Sequence, residues 1–464
     1  MKAIMGLEAH VNILSKSKLF CNSPTDYENY EPNEATCVTC LGYPGSKPVL
    51  NKKIVESALM VAKALNCEVS PTMFFSRKSY FYPDMPKNFQ ITQYEIPLAK
   101  NGYLQITNKK IRIRRIQIEE DPGKLIHVGG GITNAQYVLV DYNRAGIPLI
   151  EVVTEPDFEN VQEVREFLSK LQSILEHLEV YDAAKEASLR VDSNISLEGG
   201  TRVEIKNITG FVNVEKALSY EIVRQQNLVR MGMQVERETR HFDETTKTTA
   251  TLRKKETEED YGYIFEGDLP QFTLSKQLIQ KIEKQMPELP DARVGRFVKE
   301  YDIPENQAQI IVYTDKALAD FFEDCVKLFN KPEFVSRWLV TDLLKVLNWN
   351  DLKIRKSKVT PKLFAEFLES MDKGEITERL GKELIKDLVP AGKPVKELVK
   401  EKGLSKKIDL ESIIKEVIKE NKKAVDDYKS GNEKAIQFLI GQVLRKTKAA
   451  GDPNRIKELI KKLI

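Results

Sequence analysis

Residues 111–118 read Ile111-Arg112-Ile113-Arg114-Arg115-Ile116-Gln117-Ile118. Apolar and polar residues alternate, slip once at Arg114-Arg115, and resume. A period of two puts one set of side chains on one face of a strand. One extra residue in such a run predicts a β-bulge. Leu189, Val191, Ile195 and Leu197 likewise share one face, opposite Arg190, Asp192, Asn194 and Ser196. Val203 and Ile205 alternate against Arg202, Glu204 and Lys206.

Such short runs dominate from residue 1 to about 270, interrupted by two or three helices. Asn160, with Glu163 three residues on, predicts a capping box. Behind it Val164, Phe167, Leu168, Leu171, Ile174, Leu175 and Leu178 form one apolar stripe. A second helix is expected from about Val212 to Met231. After about Leu269 the strand patterns vanish. Met286-Pro-Glu-Leu-Pro-Asp291 marks a linker and Pro390-Ala-Gly-Lys-Pro394 a further break. Phe321, Phe322, Trp338, Leu339, Leu343 and Leu344 lie at helical spacing. The expected class is α+β: a mainly antiparallel β-sheet domain over 1–285, an all-helical domain over 290–400 and a small helical tail over 405–464.

A chain of 464 residues, 41% hydrophobic and 30% charged, can bury several cores. The net charge of +3 does not by itself argue for nucleic acid, but residues 401–464 carry 16 Lys/Arg against 10 Asp/Glu. A Lys-rich helical face is either solvated or attracts phosphate backbones. Glu8 and His10 interrupt the apolar stretch of residues 1–15, which therefore does not read as a signal peptide. No run reaches the roughly 18 apolar residues of a membrane span, so no membrane association is expected. Five cysteines without a secretory signal fit a reducing cytosol, and the expected location is cytoplasmic.

Arg77-Lys-Ser-Tyr-Phe-Tyr-Pro-Asp-Met-Pro-Lys-Asn-Phe-Gln-Ile-Thr-Gln93 mixes fixed charge, rings and two prolines. It suits a polyanionic, base-bearing ligand; the competing reading is a Pro-kinked surface loop. Glu8 and His10 sit two apart on one strand face and can share a divalent metal, or are ordinary surface polarity. Glu119, Glu120 and Glu151 lie at strand ends or inside apolar strands, and a carboxylate there needs a partner. The phase of the run puts Glu120 with Ile116 and Ile118, opposite Glu119. Asp192 and Glu204 add to the same kind of polar face. Such oxygen ligands with one imidazole suit Mg²⁺, against the alternative of unrelated salt bridges. Gly129-Gly-Gly131 reads as a phosphate wrap or a flexible hairpin. There is no G-x-x-x-x-G-K-[ST], no kinase H-R-D or D-F-G set, and no nucleophile elbow.

Together these segments resemble the B subunit of the aspartyl/glutamyl-tRNA amidotransferases. The resemblance rests on Gly6-Leu-Glu-Ala-His10, Arg77-Lys-Ser-Tyr-Phe-Tyr-Pro-Asp84, Gln90-Ile-Thr-Gln-Tyr94 and Glu119-Glu-Asp-Pro-Gly-Lys124. It continues through Asp141-Tyr-Asn-Arg-Ala-Gly-Ile-Pro-Leu-Ile-Glu151, Ser188-Leu-Arg-Val-Asp-Ser-Asn-Ile195, Glu204-Ile-Lys-Asn207 and Gly441-Gln-Val-Leu-Arg-Lys-Thr-Lys448. It implies a cradle that uses ATP and Mg²⁺ to phosphorylate the side-chain carboxylate of Asp or Glu misacylated on tRNA(Asn) or tRNA(Gln). Ammonia from an amidase (glutaminase) subunit, held with a small third subunit in a heterotrimer, then displaces phosphate. It implies Glu8, His10, Glu120 and Glu151 as Mg²⁺ ligands and Asp192 and Glu204 as outer or transient ligands. Lys78, with Arg77 behind it, would contact phosphate. Tyr80, Tyr82 and Asp84 would frame the aminoacyl adenosine, and the helical parts would grip tRNA. Zinc-bearing relatives show C-x-C before the C-x-x-C; here Ser23 leaves Cys21, Cys37 and Cys40 as three zinc candidates without a fourth. The family's Tyr-Arg-Tyr-Phe-Pro stretch stands here as Tyr261-Gly-Tyr-Ile-Phe265. The other class of function is a tRNA-binding adaptor without chemistry.

Overall fold

In the computed structural model, the strand Lys110–Glu120 pairs Arg115 with Val153 and Ile113 with Thr154, so Arg114 is the extra residue of a bulge. Without it Ile111 and Ile113 would face away from Ile116 and Ile118. With it all four lie in one core, each at most 1% exposed. The structure describes residues 1–130, 135–185, 188–254, 261–401, 410–430, 432, 434–446 and 453–464.

The strands run in chain order as β1 (Ala3–Asn12), β2 (Glu68–Val69), β3 (Thr72–Met73), β4 (Ser76–Ser79), β5 (Phe89–Thr92) and β6 (Ala99–Gln105). Then come β7 (Lys110–Glu120), β8 (Lys124–Val128), β9 (Tyr137–Asp141), β10 (Pro148–Thr154), β11 (Leu189–Leu197) and β12 (Val203–Thr209). The last are β13 (Glu238–Asp243), β14 (Thr248–Lys254), β15 (Ile264–Phe265) and β16 (Phe272–Thr273). Nine of them form one sheet in the order β14-β13-β12-β11-β1-β10-β7-β6-β2. Its pairs are antiparallel except β12–β13, which is parallel and needs a crossover helix. Smaller sheets are β15-β4-β5, β16-β3 and the hairpin β8-β9, which flanks the glycine run; Gly131 lies outside the described residues.

Three helices cover the apolar face: α1 (Lys52–Ala64), α2 (Val161–His177) and α3 (Phe211–Arg230), the last being that crossover. Their buried residues join those of the strands in one core. Asn160 caps α2 through the Glu163 N–H, as expected, but the Glu163 carboxylate reaches the N–H of Glu159, one residue before the cap. The helix α1, capped by Asn51, has no counterpart among the helices that the sequence pattern marks.

The chain folds as two compact units, Met1–Pro290 and Asp291–Ile464. The second unit is helical throughout its described residues. Phe297, Phe322, Trp338, Phe364 and Phe367 fill one core, and Phe321, Leu339 and Leu343 are buried there too. Ile414, Val417, Leu439, Val443, Ile456 and Ile460 fill a separate, smaller one. The tail start expected at residue 405 lies outside the described residues. No helix among those described is long and apolar enough to cross a membrane.

Gly102 in β6 sits against α1's exit. A Cβ there would meet Cys67 Sγ, and the Leu65 carbonyl oxygen at 2.6 Å. Backbone cannot yield as a flexible side chain does. Gly102→Ala is therefore expected to cost about 1–3 kcal/mol, read as a lower midpoint in the cradle's denaturant transition; an unchanged midpoint would show that the sheet edge relaxes freely.

Candidate functional site

Residues directly opposite in an antiparallel pair point to the same side of the sheet. On β1, Glu8 faces Asp192 and His10 faces both Arg190 and Glu151. Glu151 in turn faces Gln117, Leu149 faces Glu119, and Asn194 faces Glu204. One polar row thus crosses β7, β10, β1, β11 and β12. The opposite side of those strands is apolar core, so the charged row cannot turn inward.

A cavity of about 290 Å³ opens on this face, lined by Glu8, His10, Lys78, Tyr80, Tyr82, Asp84, Glu119, Glu151, Asp192 and Lys206 among others. Carboxylate oxygens of Glu8, Asp192 and Glu204 lie within 4.8 Å of one another. Lys206 Nζ stands 3.4 Å from Asp192 and 3.7 Å from Glu204. Asn194 donates to Glu8 at 2.9 Å, Thr239 to Glu204 at 3.0 Å, and the Asn207 N–H to Asp192 at 2.7 Å. Burial alone would raise Asp192. The Lys206 ammonium, His10 and the Asn207 N–H outweigh it and hold the carboxylate below its usual range. Burial likewise opposes the Lys206 charge, and Asp192 and Glu204 overcome it, so the ammonium is firmly held. Three carboxylates against one close ammonium leave negative charge over. That donor set fits a hard divalent cation.

Beside it lies a second pair. Gln117 donates to Glu151 at 2.7 Å and also to Glu119. Glu119 accepts further from Gln90 at 2.9 Å and Thr92 at 3.0 Å. Burial, then the neighbouring Glu119 charge, pushes the Glu151 carboxyl well above its normal value. Glu119 keeps its charge: burial opposes ionisation, but hydrogen bonds and the charges of Lys78 and His10 prevail. Two buried carboxyls this close hold one proton between them.

The small sheet β15-β4-β5 brings the aromatic segment over this face. Tyr80 and Tyr82 stack with ring centroids 4.9 Å apart. Lys78 Nζ lies 4.6 Å above the Tyr261 ring, so the segment that lacks the family's Arg still reaches the cavity.

The expected quartet Glu8, His10, Glu120 and Glu151 is not brought together. Alternation sends Glu120 to the other side from Glu119. There it pairs with Lys87, accepts the Ile91 N–H at 2.9 Å, and lines a different cavity of about 150 Å³. Glu119 stands in its place beside Glu151. Arg77, one residue from Lys78, also faces away: Glu266 takes its Nε and Nη2 at 2.7 Å each. The residues missed were Glu119, Lys206, Arg190, Arg144 and Tyr261. The phase of the alternating runs already put Arg190 with Asp192 and Lys206 with Glu204.

Cys21, Cys37 and Cys40 do converge, their sulfurs within 4.8 Å. Beside Cys40 stand the Ser23 hydroxyl at 3.9 Å and Lys18 Nζ at 3.8 Å, the latter fully buried and donating to the Ala35 carbonyl at 2.9 Å. The hydrogen bond from Cys21, then the Lys18 ammonium, pull the Cys40 thiol down to about 4 against burial. A closed zinc site wants four ligands. Three sulfurs converge here, and no fourth His, Cys, Asp or Glu ligand joins them among the described residues.

Comparison with known families agrees over nearly the whole length. A profile described as "GatB/GatE catalytic domain" matches residues 3–280, and one described as "GatB domain" matches residues 320–464. The chain is 48% identical to the B subunit of the aspartyl/glutamyl-tRNA(Asn/Gln) amidotransferase of Sulfolobus acidocaldarius, over 99% of this chain and 98% of that protein. It is 46% identical to that of Saccharolobus solfataricus, with 99% and 98% covered. With that of Thermotoga maritima it shares 44%, over 100% and 99%.

Mn²⁺ can report on the cation site by electron paramagnetic resonance. Asp192→Asn and Glu204→Gln should each weaken Mn²⁺ binding by roughly tenfold or more, while Glu120→Gln should leave it unchanged. Loss with Glu120→Gln alone would move the site to the other cavity.

Proposed function

The chain belongs to the family of aspartyl/glutamyl-tRNA(Asn/Gln) amidotransferase B subunits, and on that premise we propose that it activates the side-chain carboxylate of aspartate or glutamate esterified to tRNA(Asn) or tRNA(Gln). The carboxylate oxygen attacks the γ-phosphorus of ATP and ADP leaves. Ammonia then adds to the acyl phosphate, inorganic phosphate leaves, and an amide remains. A bare carboxylate cannot do this because its leaving group would be oxide. The acyl phosphate needs shelter from water, which a walled cavity supplies.

The observation that carries this reading is the convergence of Glu8, Asp192 and Glu204, the first two on the cavity wall, with Lys206 beside them and Lys78 facing Glu119 and Glu151. Glu8, Asp192 and Glu204, flanked by His10, would hold Mg²⁺, which supplies charge neutralisation on a transferring phosphoryl group. Lys78 and Lys206 add fixed positive charge to the same walls. Glu119, ionised beside a protonated Glu151, can take the proton that the attacking ammonia sheds. The stacked Tyr80 and Tyr82 offer a platform for an adenine. A tRNA-binding adaptor has no need of carboxylates gathered in one cavity, which disfavours that reading. The amidase (glutaminase) and the small third subunit would be the partners, and the cytoplasm the place of work.

The test is ATP turnover and amide formation in the complex reconstituted with its partner subunits, with ammonium as nitrogen donor. Aspartyl-tRNA(Asn) or glutamyl-tRNA(Gln) should support turnover and uncharged tRNA should not. Glu8→Ala should lower turnover by roughly 100-fold or more while tRNA affinity holds; normal amidation by this variant would exclude the proposed cation site. Deleting residues 408–464, where basic residues are in surplus, should weaken tRNA binding and flatten its salt dependence. An unchanged dissociation constant would remove the tail from tRNA recognition.

A further inference from the structure

On the wall of this cavity, two buried atoms of opposite character lack partners. Asp84 is 8% exposed and its Oδ1 accepts no hydrogen bond. Arg190 has a buried Nε that donates none. Both residues line the cavity. Neither is loose. The Asp84 backbone carbonyl accepts the Gly123 N–H at 2.8 Å. Arg190 Nη2 donates to Asp121 at 2.6 Å, and Arg144 fixes the same loop through the Pro122 and Gly123 carbonyls at 3.0 and 2.7 Å. Burial, helped by the Asp121 charge, raises Asp84 in spite of Arg144 nearby, so its charged form is disfavoured until a cation meets it. An unpaired buried donor and an unpaired buried acceptor cost free energy unless a ligand meets both.

A ligand that meets both carries an anion and a cation close together. A phosphate supplies only the anion and would be repelled by Asp84 and Asp121. The aminoacyl end of the proposed substrate has both: a side-chain carboxylate, and an α-amino group whose pKa of about 8 keeps it largely charged near neutrality. Resting on the reading above, we infer that Arg190 takes one oxygen of the substrate's side-chain carboxylate and Asp84 takes its α-ammonium. Arg190 and Asp192 are two apart on β11, roughly 7 Å along the strand. The carboxylate held by Arg190 is thus within one phosphoryl group's reach of the Glu8–Asp192–Glu204 cluster. The amide product has lost the charge that Arg190 reads, so the same residue separates substrate from product. Arg190 and Asp84 are positioning and specificity residues; the acceptor oxygen that reacts is the one Arg190 leaves free.

The test uses the reconstituted complex with ATP, ammonium, and two charged tRNAs: aspartyl-tRNA(Asn) and its N-acetyl-aspartyl form, which has no ammonium. Wild type should lose roughly 10- to 100-fold in kcat/KM on acetylation. Asp84→Asn should lose a similar factor on the free-amine substrate and nothing further on the acetylated one. Equal losses on both substrates would overturn the assignment. Arg190→Lys should raise KM for aspartyl-tRNA(Asn) and leave KM for ATP unchanged; a rise confined to ATP would make Arg190 a phosphate ligand and overturn its half. Should Arg190→Lys fail to fold for want of the Asp121 pair, the Asp84 comparison decides alone. A wild-type complex inactive on every charged tRNA defeats the proposed function and this inference together. An active wild type with an Asp84→Asn loss indifferent to acetylation defeats only the inference.

Discussion

Negative charge on one face of one sheet is the constraint around which the first unit is built. Glu8, Glu119, Glu151, Asp192 and Glu204 project from neighbouring strands, four of them buried. Buried carboxylates must be paired, hydrogen-bonded or neutralised. Here each of the three devices is in use. Lys206 pairs with Asp192 and Glu204, Gln90, Thr92 and Gln117 donate to Glu119, and Glu151 keeps its proton. The aromatic segment and its small sheet are the roof that makes this necessary, because they take water away from the carboxylates.

Glu119 and Glu120 show how sharply a strand divides its neighbours. They are adjacent in sequence, yet serve two cavities. Glu119 faces the polar row; Glu120 pairs with Lys87 in the space shared with Cys21 and Cys40. Cys21 and Cys40 line that second space, and behind them Cys37 converges on the same point and Lys18 stands buried beside Cys40. An ammonium supplies beside Cys40 the positive charge that, with a fourth sulfur, a metal would bring.

Strand phase was legible because it depends on a period of two and nothing else. Hence the alternating runs and the bulge at Arg114 stand in the structure, and the stripe behind Asn160 stands for the like reason of a helical period. Class was legible for the same reason, the strands ending where the alternation ends. What the local pattern could not convey was which strands meet. Arg190 and Lys206 gain their meaning from lying across from His10 and beside Asp192, and that depends on the order of strands, not on either strand alone. Glu120 lies apart from Glu8, His10 and Glu151 for a different reason: strand phase separates it from Glu119, and the family resemblance pointed against that phase. The helix α1 was missed because Lys52–Ala64 is buried along much of its surface, which blurs the polar-apolar contrast that marks an amphipathic helix.

β1, made first, stands in the middle of the nine-stranded sheet, between β10 and β11. Neither neighbour exists until residues 148–154 and 189–197 have been added. At roughly 5–20 residues per second, the nascent chain carries an unmated apolar strand for about ten to thirty seconds. The polar row is then completed in steps, as β10, β11 and β12 are added around an early strand. Fragments shorter than this carry β1 and β7 without β10, the strand that joins them.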